Sequence, residues 1–408
     1  MARNPLAQVT ALFAGRGPAQ RASVFIGAIA LALGAAEGDK PPPGLCVQAG
    51  ILTKDGKPYR GIGANYFSLF SRTLKNPADT SYQKNLKGLS EAGIPFVRFM
   101  CGGFWPVDQK PYQEDKEAFF KRLDNIVKAA EENHVGLIPS LFWYLATVPD
   151  MVGEHLDQFG NPESKTSAHI RRYTEEIVAR YKDSPALWAW ELGNEYNLDA
   201  DLPNSREQRP PVWPNLGTPK ERTDKDELHF AELRAAFVLF AETVRKLDKT
   251  RPIISGNAMP RPSAYHNSLE KTWTLDTEEQ SAEVLLRDNP DPMNVVSVHL
   301  YKDKKDIYPG GAKSLEAAVG WANKCAAKAG KPLFLGEFGA ERQLGAEKER
   351  AAFEEFLNNI VKHQVPLAAF WVLDFDSQDE NWNVDFKNPR AYMIELVAQA
   401  NARLRTAR

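Results

Sequence analysis

At 408 residues, with 43% hydrophobic and 25% charged side chains, the chain has the composition of an ordinary globular protein and is long enough for one large barrel or two average domains. Its 51 basic residues nearly balance 53 acidic ones, for a net charge of −2, and no basic stripe is present to neutralise phosphates or grip an anionic bilayer. Nucleic acid is excluded as a partner on this ground, and three dispersed cysteines, Cys46, Cys101 and Cys325, cannot build a disulfide scaffold or a cysteine-rich zinc site.

The N-terminus carries Arg3, Arg16 and Arg21, then an apolar run from Ala22 to Ala36 closed by the small residues Gly34, Ala35 and Ala36. That order of basic, apolar and small segments predicts a signal peptide over 1–36, and a secreted or periplasmic chain with no membrane attachment after its removal. Residues 37–50 read as a linker or N-terminal extension in which Lys40-Pro41-Pro42-Pro43-Gly44 forms a stiff spacer, and the catalytic domain is expected over 51–408.

From Tyr59 onward, short β-branched or apolar runs alternate with longer amphipathic stretches. Strands are expected to begin at Tyr59, Pro95, Val135, Ala186, Pro252, Val295, Pro332 and Pro366. Helices are expected over 80–92, 113–133, 166–182, 226–247, 277–288, 314–329, 347–363 and from Pro389 to about Arg403. Pro252 and Pro332 sit where a strand start tolerates a missing N–H, and Gly93 and Gly330 are placed to end helices. Eight βα units predict an α/β fold, a (β/α)8 TIM barrel in a single catalytic domain. The competing open, doubly wound sheet would carry a glycine-rich phosphate turn, and no G-x-G-x-x-G is present.

In such a barrel the chemistry lies at the C-terminal strand ends. Glu195, ending the fourth strand, and Glu337, ending the seventh, fall at facing positions there. Hydrolysis of a glycosidic bond needs such a pair, one carboxyl to protonate the leaving oxygen and one to meet the oxocarbenium-like carbon. A surface or capping role is disfavoured, because each glutamate follows a run that should be buried. Glu191, four residues earlier, reads as a hydrogen-bonded residue of the barrel interior. The region 198–224 shows no periodicity and is expected to be a long functional loop that presents Trp213.

The Asn194-Glu195 pair and Gly336-Glu337-Phe338-Gly339 resemble the marks of glycoside hydrolase family 5, the cellulase and mannanase family of clan A, over roughly 51–396. The resemblance implies a retaining mechanism, with Glu195 as acid/base and Glu337 as nucleophile. It also implies that Arg98 steadies the nucleophile, that Asn194 donates to the sugar 2-hydroxyl, and that His299 and Tyr301 form the family's His-x-Tyr, with Tyr301 holding the nucleophile. Trp371 would floor the sugar site, and Trp143 and Trp105 are further candidate sugar contacts. Family members of cellulase type carry a histidine at the end of strand three, where this chain has Phe142-Trp143-Tyr144, which turns the expectation toward mannanase-like branches.

The function expected is hydrolysis of β-linked polysaccharides or oligosaccharides of mannan or glucan type, by a monomer without cofactor or metal. Of seven histidines only His299 takes a strand-end place, which argues against a metal-dependent hydrolase. A catalytically inactive, polysaccharide-binding barrel is the alternative, opposed by the presence of both glutamates with Arg98, Asn194 and Tyr301.

Overall fold

The computed structural model describes residues 43–302 and 304–406. The expected signal peptide therefore lies outside the described residues. Among them, no helix is long and apolar enough to cross a membrane.

The chain first forms three short antiparallel strands, β1 (Leu45–Gln48), β2 (Ile51–Lys54) and β3 (Lys57–Pro58). The segment expected as a linker or N-terminal extension, 37–50, thus includes a strand, β1 at Leu45–Gln48. The two-residue turn Ala49-Gly50 has positive φ at both positions (49° and 78°), the geometry that matches the twist of a tight hairpin. A Cβ on Gly50 would stand 2.8 Å from the Gly330 carbonyl oxygen, so glycine is required there twice over. Leu45 and Leu52 pack with Phe96, Ile138, Trp188, Ile254 and Phe334 in a cluster of their own.

Eight parallel strands follow: β4 (Gly61–Asn65), β5 (Phe96–Met100), β6 (Gly136–Phe142), β7 (Trp190–Gly193), β8 (Ile253–Ile254), β9 (Val296–His299), β10 (Leu333–Phe338) and β11 (Leu367–Phe370). Every residue of these strands is buried, as strands covered on both faces require. Each βα unit closes with a helix: α1 (Ser81–Glu91), α2 (Lys116–Glu132), α3 (Lys165–Tyr181), α4 (Phe230–Leu247), α5 (Glu278–Arg287), α6 (Leu315–Lys328), α7 (Ala346–Lys362) and α8 (Tyr392–Thr406). Gly93 and Gly330, with φ of 74° and 69°, lie just past α1 and α6 as expected.

The strands pair in the order β8-β7-β6-β5-β4-β11-β10-β9, so the last barrel strand lies beside the first, as a (β/α)8 barrel demands. Between β8 and β9, side chains close the wall. The Asn289 side-chain oxygen accepts from Ser255 Oγ (2.7 Å) and from the Ser297 N–H (2.9 Å), and Asn294 Oδ1 accepts from the Ile253 N–H (2.8 Å). Backbone polar groups that a two-residue strand cannot pair are thus satisfied by asparagines.

Candidate active site

Arg98 enters the barrel interior from β5 and is fully buried. An arginine cannot shed its charge, so burial obliges it to find anions and acceptors. Its Nε donates to both carboxylate oxygens of Glu191 (2.8 and 3.0 Å). One terminal nitrogen donates to Asn65 Oδ1 (2.9 Å) and Glu337 Oε1 (2.8 Å), the other to Asn194 Oδ1 (2.8 Å). Strand register prepares this: Asn65 lies directly beside Arg98 across β4 and β5. Burial pushes the Glu191 carboxyl upward and Arg98 opposes it, as expected of an interior partner.

Glu337 is buried, and both its oxygens have donors, Arg98 on Oε1 and the Tyr301 hydroxyl on Oε2 (2.8 Å). Burial and the adjacent Glu337 hold the Tyr301 phenol far above its ordinary range, so it remains a donor. The register between β9 and β10 shifts between Leu335 and Glu337, and the shift sets Glu337 beside His299.

Glu195 occupies the residue after Asn194 with φ of 58°, a left-handed backbone fixed by its N–H bond to the Gly256 carbonyl (2.8 Å). Gly256 has φ of 77°, and a Cβ there would run into the Gly193 carbonyl oxygen. The Glu195 side chain keeps about a third of its area exposed, unlike Glu337, and its Oε1 lies 3.0 Å from His299 Nδ1. Burial raises the Glu195 pKa, with Arg98 pulling the other way. His299 is pushed down to about 3, chiefly by burial, with Glu337 raising and Arg98 lowering it, so its ring is neutral near pH 7.

An oxygen of Glu195, an oxygen of Glu337 and a ring nitrogen of His299 all lie within 4.8 Å of one another. Such a trio can hold a metal ion, but here the Arg98 guanidinium already sits 2.8 Å from Glu337 Oε1.

The tryptophans divide. Trp371 follows β11 half-buried, with its Nε1 donating to Gln378 (2.8 Å) and a cis peptide to Val372. Trp143, read from the sequence as a sugar contact, is only 5% exposed; its ring packs 4.5 Å from the Arg98 guanidinium and 6.0 Å from Trp371. It therefore backs the site more than it faces it. Trp105 stands farther out, with its ring 5.0 Å from that of Trp213, which is 48% exposed. That contact carries the long loop after β7 across to the loop after β5, and Arg222, doubly bonded to buried Asp150 (2.6 and 2.7 Å), anchors it.

All the candidate residues thus lie toward the C-terminal ends of barrel strands or in the loops that follow them, Trp105 in the loop after β5. Asp374, after β11, is held by Arg72, Tyr66 and Asn85. Asp199, on the loop after β7, is half-buried, and burial, reinforced by Glu195 and opposed by Arg261, raises its pKa to about 6.

The profile described as Cellulase (glycosyl hydrolase family 5) matches residues 52–376. The chain belongs to glycosyl hydrolase family 5. Over 82 residues it is 40% identical to the Aspergillus flavus protein named "Probable mannan endo-1,4-beta-mannosidase F", a stretch covering 18% of this chain and 17% of that one. Mannan endo-1,4-beta-mannosidase 8 of Oryza sativa is 26% identical over 37% of this chain and 46% of its own length. The chain thus spans less than half the length of either relative. The crystal structure of an endo-1,4-beta-mannanase from Rhizomucor miehei superposes with a TM-score of 0.61 at 17% identity, over 89% of this chain and 99% of that one, and shares its fold.

Proposed function

We propose that this family 5 chain is a retaining glycoside hydrolase acting on β-linked polysaccharides or oligosaccharides of mannan type, with Glu337 as nucleophile and Glu195 as acid/base. The observation that carries the reading is the approach of the two carboxylates to within 4.8 Å, oxygen to oxygen. Retaining sites have carboxyl groups about 5–5.5 Å apart, whereas inverting sites leave about 6.5–9.5 Å for a water.

The surroundings suit that division. Glu337, gripped by Arg98 and Tyr301, is fixed for in-line attack on the anomeric carbon. Glu195, more exposed and with its pKa raised, keeps its proton for the leaving oxygen to higher pH than an ordinary carboxyl would. Once the glycosyl-enzyme bond forms, Glu337 is esterified and its charge is gone. Glu195, which has given its proton to the leaving oxygen, stays ionised more easily beside the uncharged ester and takes a proton from the water that attacks the anomeric carbon. Asn194 gives its oxygen to Arg98, which leaves its NH2 to reach a sugar 2-hydroxyl. Trp371 offers the floor. The mannan preference rests on the names of the relatives and on Trp143 standing where cellulase-type members have histidine. Export after loss of residues 1–36 belongs to the same proposal.

The test separates the roles. Glu337→Ala should abolish turnover of every substrate. Glu195→Ala should still cleave dinitrophenyl glycosides, whose leaving group needs no proton, and azide should restore turnover by giving the β-glycosyl azide. Wild-type product should keep the β configuration, and a chelator should leave its rate unchanged. Inverted product, or azide rescue of the Glu337 variant in place of the Glu195 variant, would overturn the assignment.

A further inference from the structure

The ladder between β7 and β8 is short. Trp190 pairs with Ile253 and Glu191 with Ile254, and Glu195 stands beyond both pairs on a left-handed backbone. Its carboxylate rests on one ring nitrogen of His299, whereas Glu337 has donors on both oxygens. Where the Glu195 carboxyl points is therefore decided by its backbone, and that backbone runs directly into a single helical turn, Tyr196–Leu198. One turn cannot pair its own final carbonyls, which must find donors elsewhere.

Arg261, in the loop after β8, supplies them. One terminal nitrogen donates to the carbonyls of Asn197 (3.2 Å) and Leu198, the other to the Ala200 carbonyl (2.8 Å), and Nε donates to Asn267 Oδ1 (3.0 Å). All three guanidinium nitrogens thus end on neutral oxygens, and the half-buried cation caps the end of a helical turn, where positive charge is favoured. Asn267 is fully buried and donates to the Thr272 carbonyl (2.7 Å), which holds the fork in place. The Asn197 side chain ties the same two loops together. Its oxygen accepts from the Ala258 N–H (3.0 Å), and its NH2 donates to the Ala258 carbonyl and to the buried Asp288 carboxylate (both 2.9 Å).

We propose that Arg261 is a positioning residue for the acid/base: by capping the turn that follows Glu195 from the neighbouring loop, it fixes where the Glu195 carboxyl meets the leaving oxygen. The proposal rests on the hydrolase reading above. A general acid contributes about 100- to 10,000-fold in rate, and a displacement of about 1 Å can cost about 100-fold. A slack turn should therefore be felt in proton transfer, while attack by Glu337, which Arg98 and Tyr301 hold separately, is spared.

The experiment compares manno-oligosaccharides with dinitrophenyl mannobioside, whose leaving group needs no proton. Arg261→Met removes the donors and keeps an apolar stem, and Arg261→Lys keeps the charge and loses the fork. The ratio of the two kcat/KM values does not depend on how much of a variant is folded, so lower stability cannot imitate the effect. In Arg261→Met, kcat/KM on the oligosaccharides should fall about tenfold or more and on the aryl glycoside stay within about twofold. On the aryl glycoside kcat and KM should fall together, because Glu195 must then act as base toward water and the second step becomes limiting. Arg261→Lys should fall between Arg261→Met and the wild type, and its ratio decides the matter if Arg261→Met gives no soluble protein. Equal loss on both substrates, no loss on either, or full recovery in Arg261→Lys would each overturn the role of the fork. A wild type that cleaves neither substrate would instead overturn the hydrolase reading itself.

Discussion

Arg98 is the residue on which the site is built, because a permanent cation with no solvent contact must be matched on all sides. Its three nitrogens reach Glu191, Asn65, Glu337 and Asn194, and so place one catalytic candidate and the amide beside the other. Arg98, Glu195 and Glu337 stood out in the sequence because each is a polar residue at the end of an apolar run, where burial without a partner would be costly, whereas Tyr301 came from the resemblance of His299-Leu300-Tyr301 to the family's His-x-Tyr. The half-buried setting of Asp199 was not legible, since an acidic residue in a polar loop looks ordinary in one dimension. Tyr301 gives the sharpest test at this scale. Tyr301→Phe removes the only donor to Glu337 Oε2 among the described residues and leaves Arg98 on Oε1. A hydrogen bond to a charged group is worth about 1.5–3 kcal/mol, so kcat/KM should fall roughly 10- to 100-fold on all substrates, aryl glycosides included, with the fold kept. Steady-state kinetics beside a melting curve checks it, and a variant of normal rate would mean that Arg98 alone positions Glu337.

At the scale of elements, β9 and β10 show how neighbouring strands share a site. Gly336 lies where the register between them shifts, and its missing side chain is the space that His299 fills: a Cβ there would meet His299 Nε2 at 2.8 Å and Cδ2 at 2.9 Å. The ring is buried, with Nδ1 against Glu195, so it has little room to retreat. Gly336→Ala should therefore push His299 against the two glutamates. Overpacking of this kind costs about 1–3 kcal/mol in stability, and activity should drop more steeply than stability, with an altered pH profile. If the variant kept wild-type kinetics, the close fit of His299 would be irrelevant to the chemistry. The eight strands and eight helices were legible because two periodicities alternate along the chain, and observed boundaries fall within a few residues of the expected ones. What closes the wall between β8 and β9 was not legible. Asn289 and Asn294 precede β9 in a turn, and nothing local distinguishes such asparagines from ordinary turn residues.

Among the described residues, regular structure begins earlier than the sequence suggests. Gly44 and the prolines before it read as linker, and the alternation in Leu45-Cys46-Val47-Gln48 is too short to announce a strand. Its significance is tertiary: β1 and β2 carry Leu45 and Leu52 onto Phe96, Ile138, Trp188 and Phe334, a patch that barrel strands β5, β6 and β10 and the segment before β7 would otherwise leave uncovered. Burying one leucine side chain contributes about 1.5–3 kcal/mol, and the aromatic surface beneath it adds to the loss when it is uncovered. Two truncations separate the proposed leader from the folded hairpin. A chain starting at Glu37 should melt where the full chain does and keep its activity, because it loses only the proposed leader, residues 1–36. A chain starting at Ile51 loses β1, leaves β2 without its longer partner and should melt at clearly lower temperature, with more exposed apolar surface by dye binding. The proposed catalytic residues lie at the opposite ends of the strands, so whatever fraction remains folded should keep its kcat. Equal melting temperatures for the two truncated chains would show that the hairpin adds nothing to the barrel, whereas a loss already present in the chain starting at Glu37 would mean that residues 1–36 belong to the folded protein.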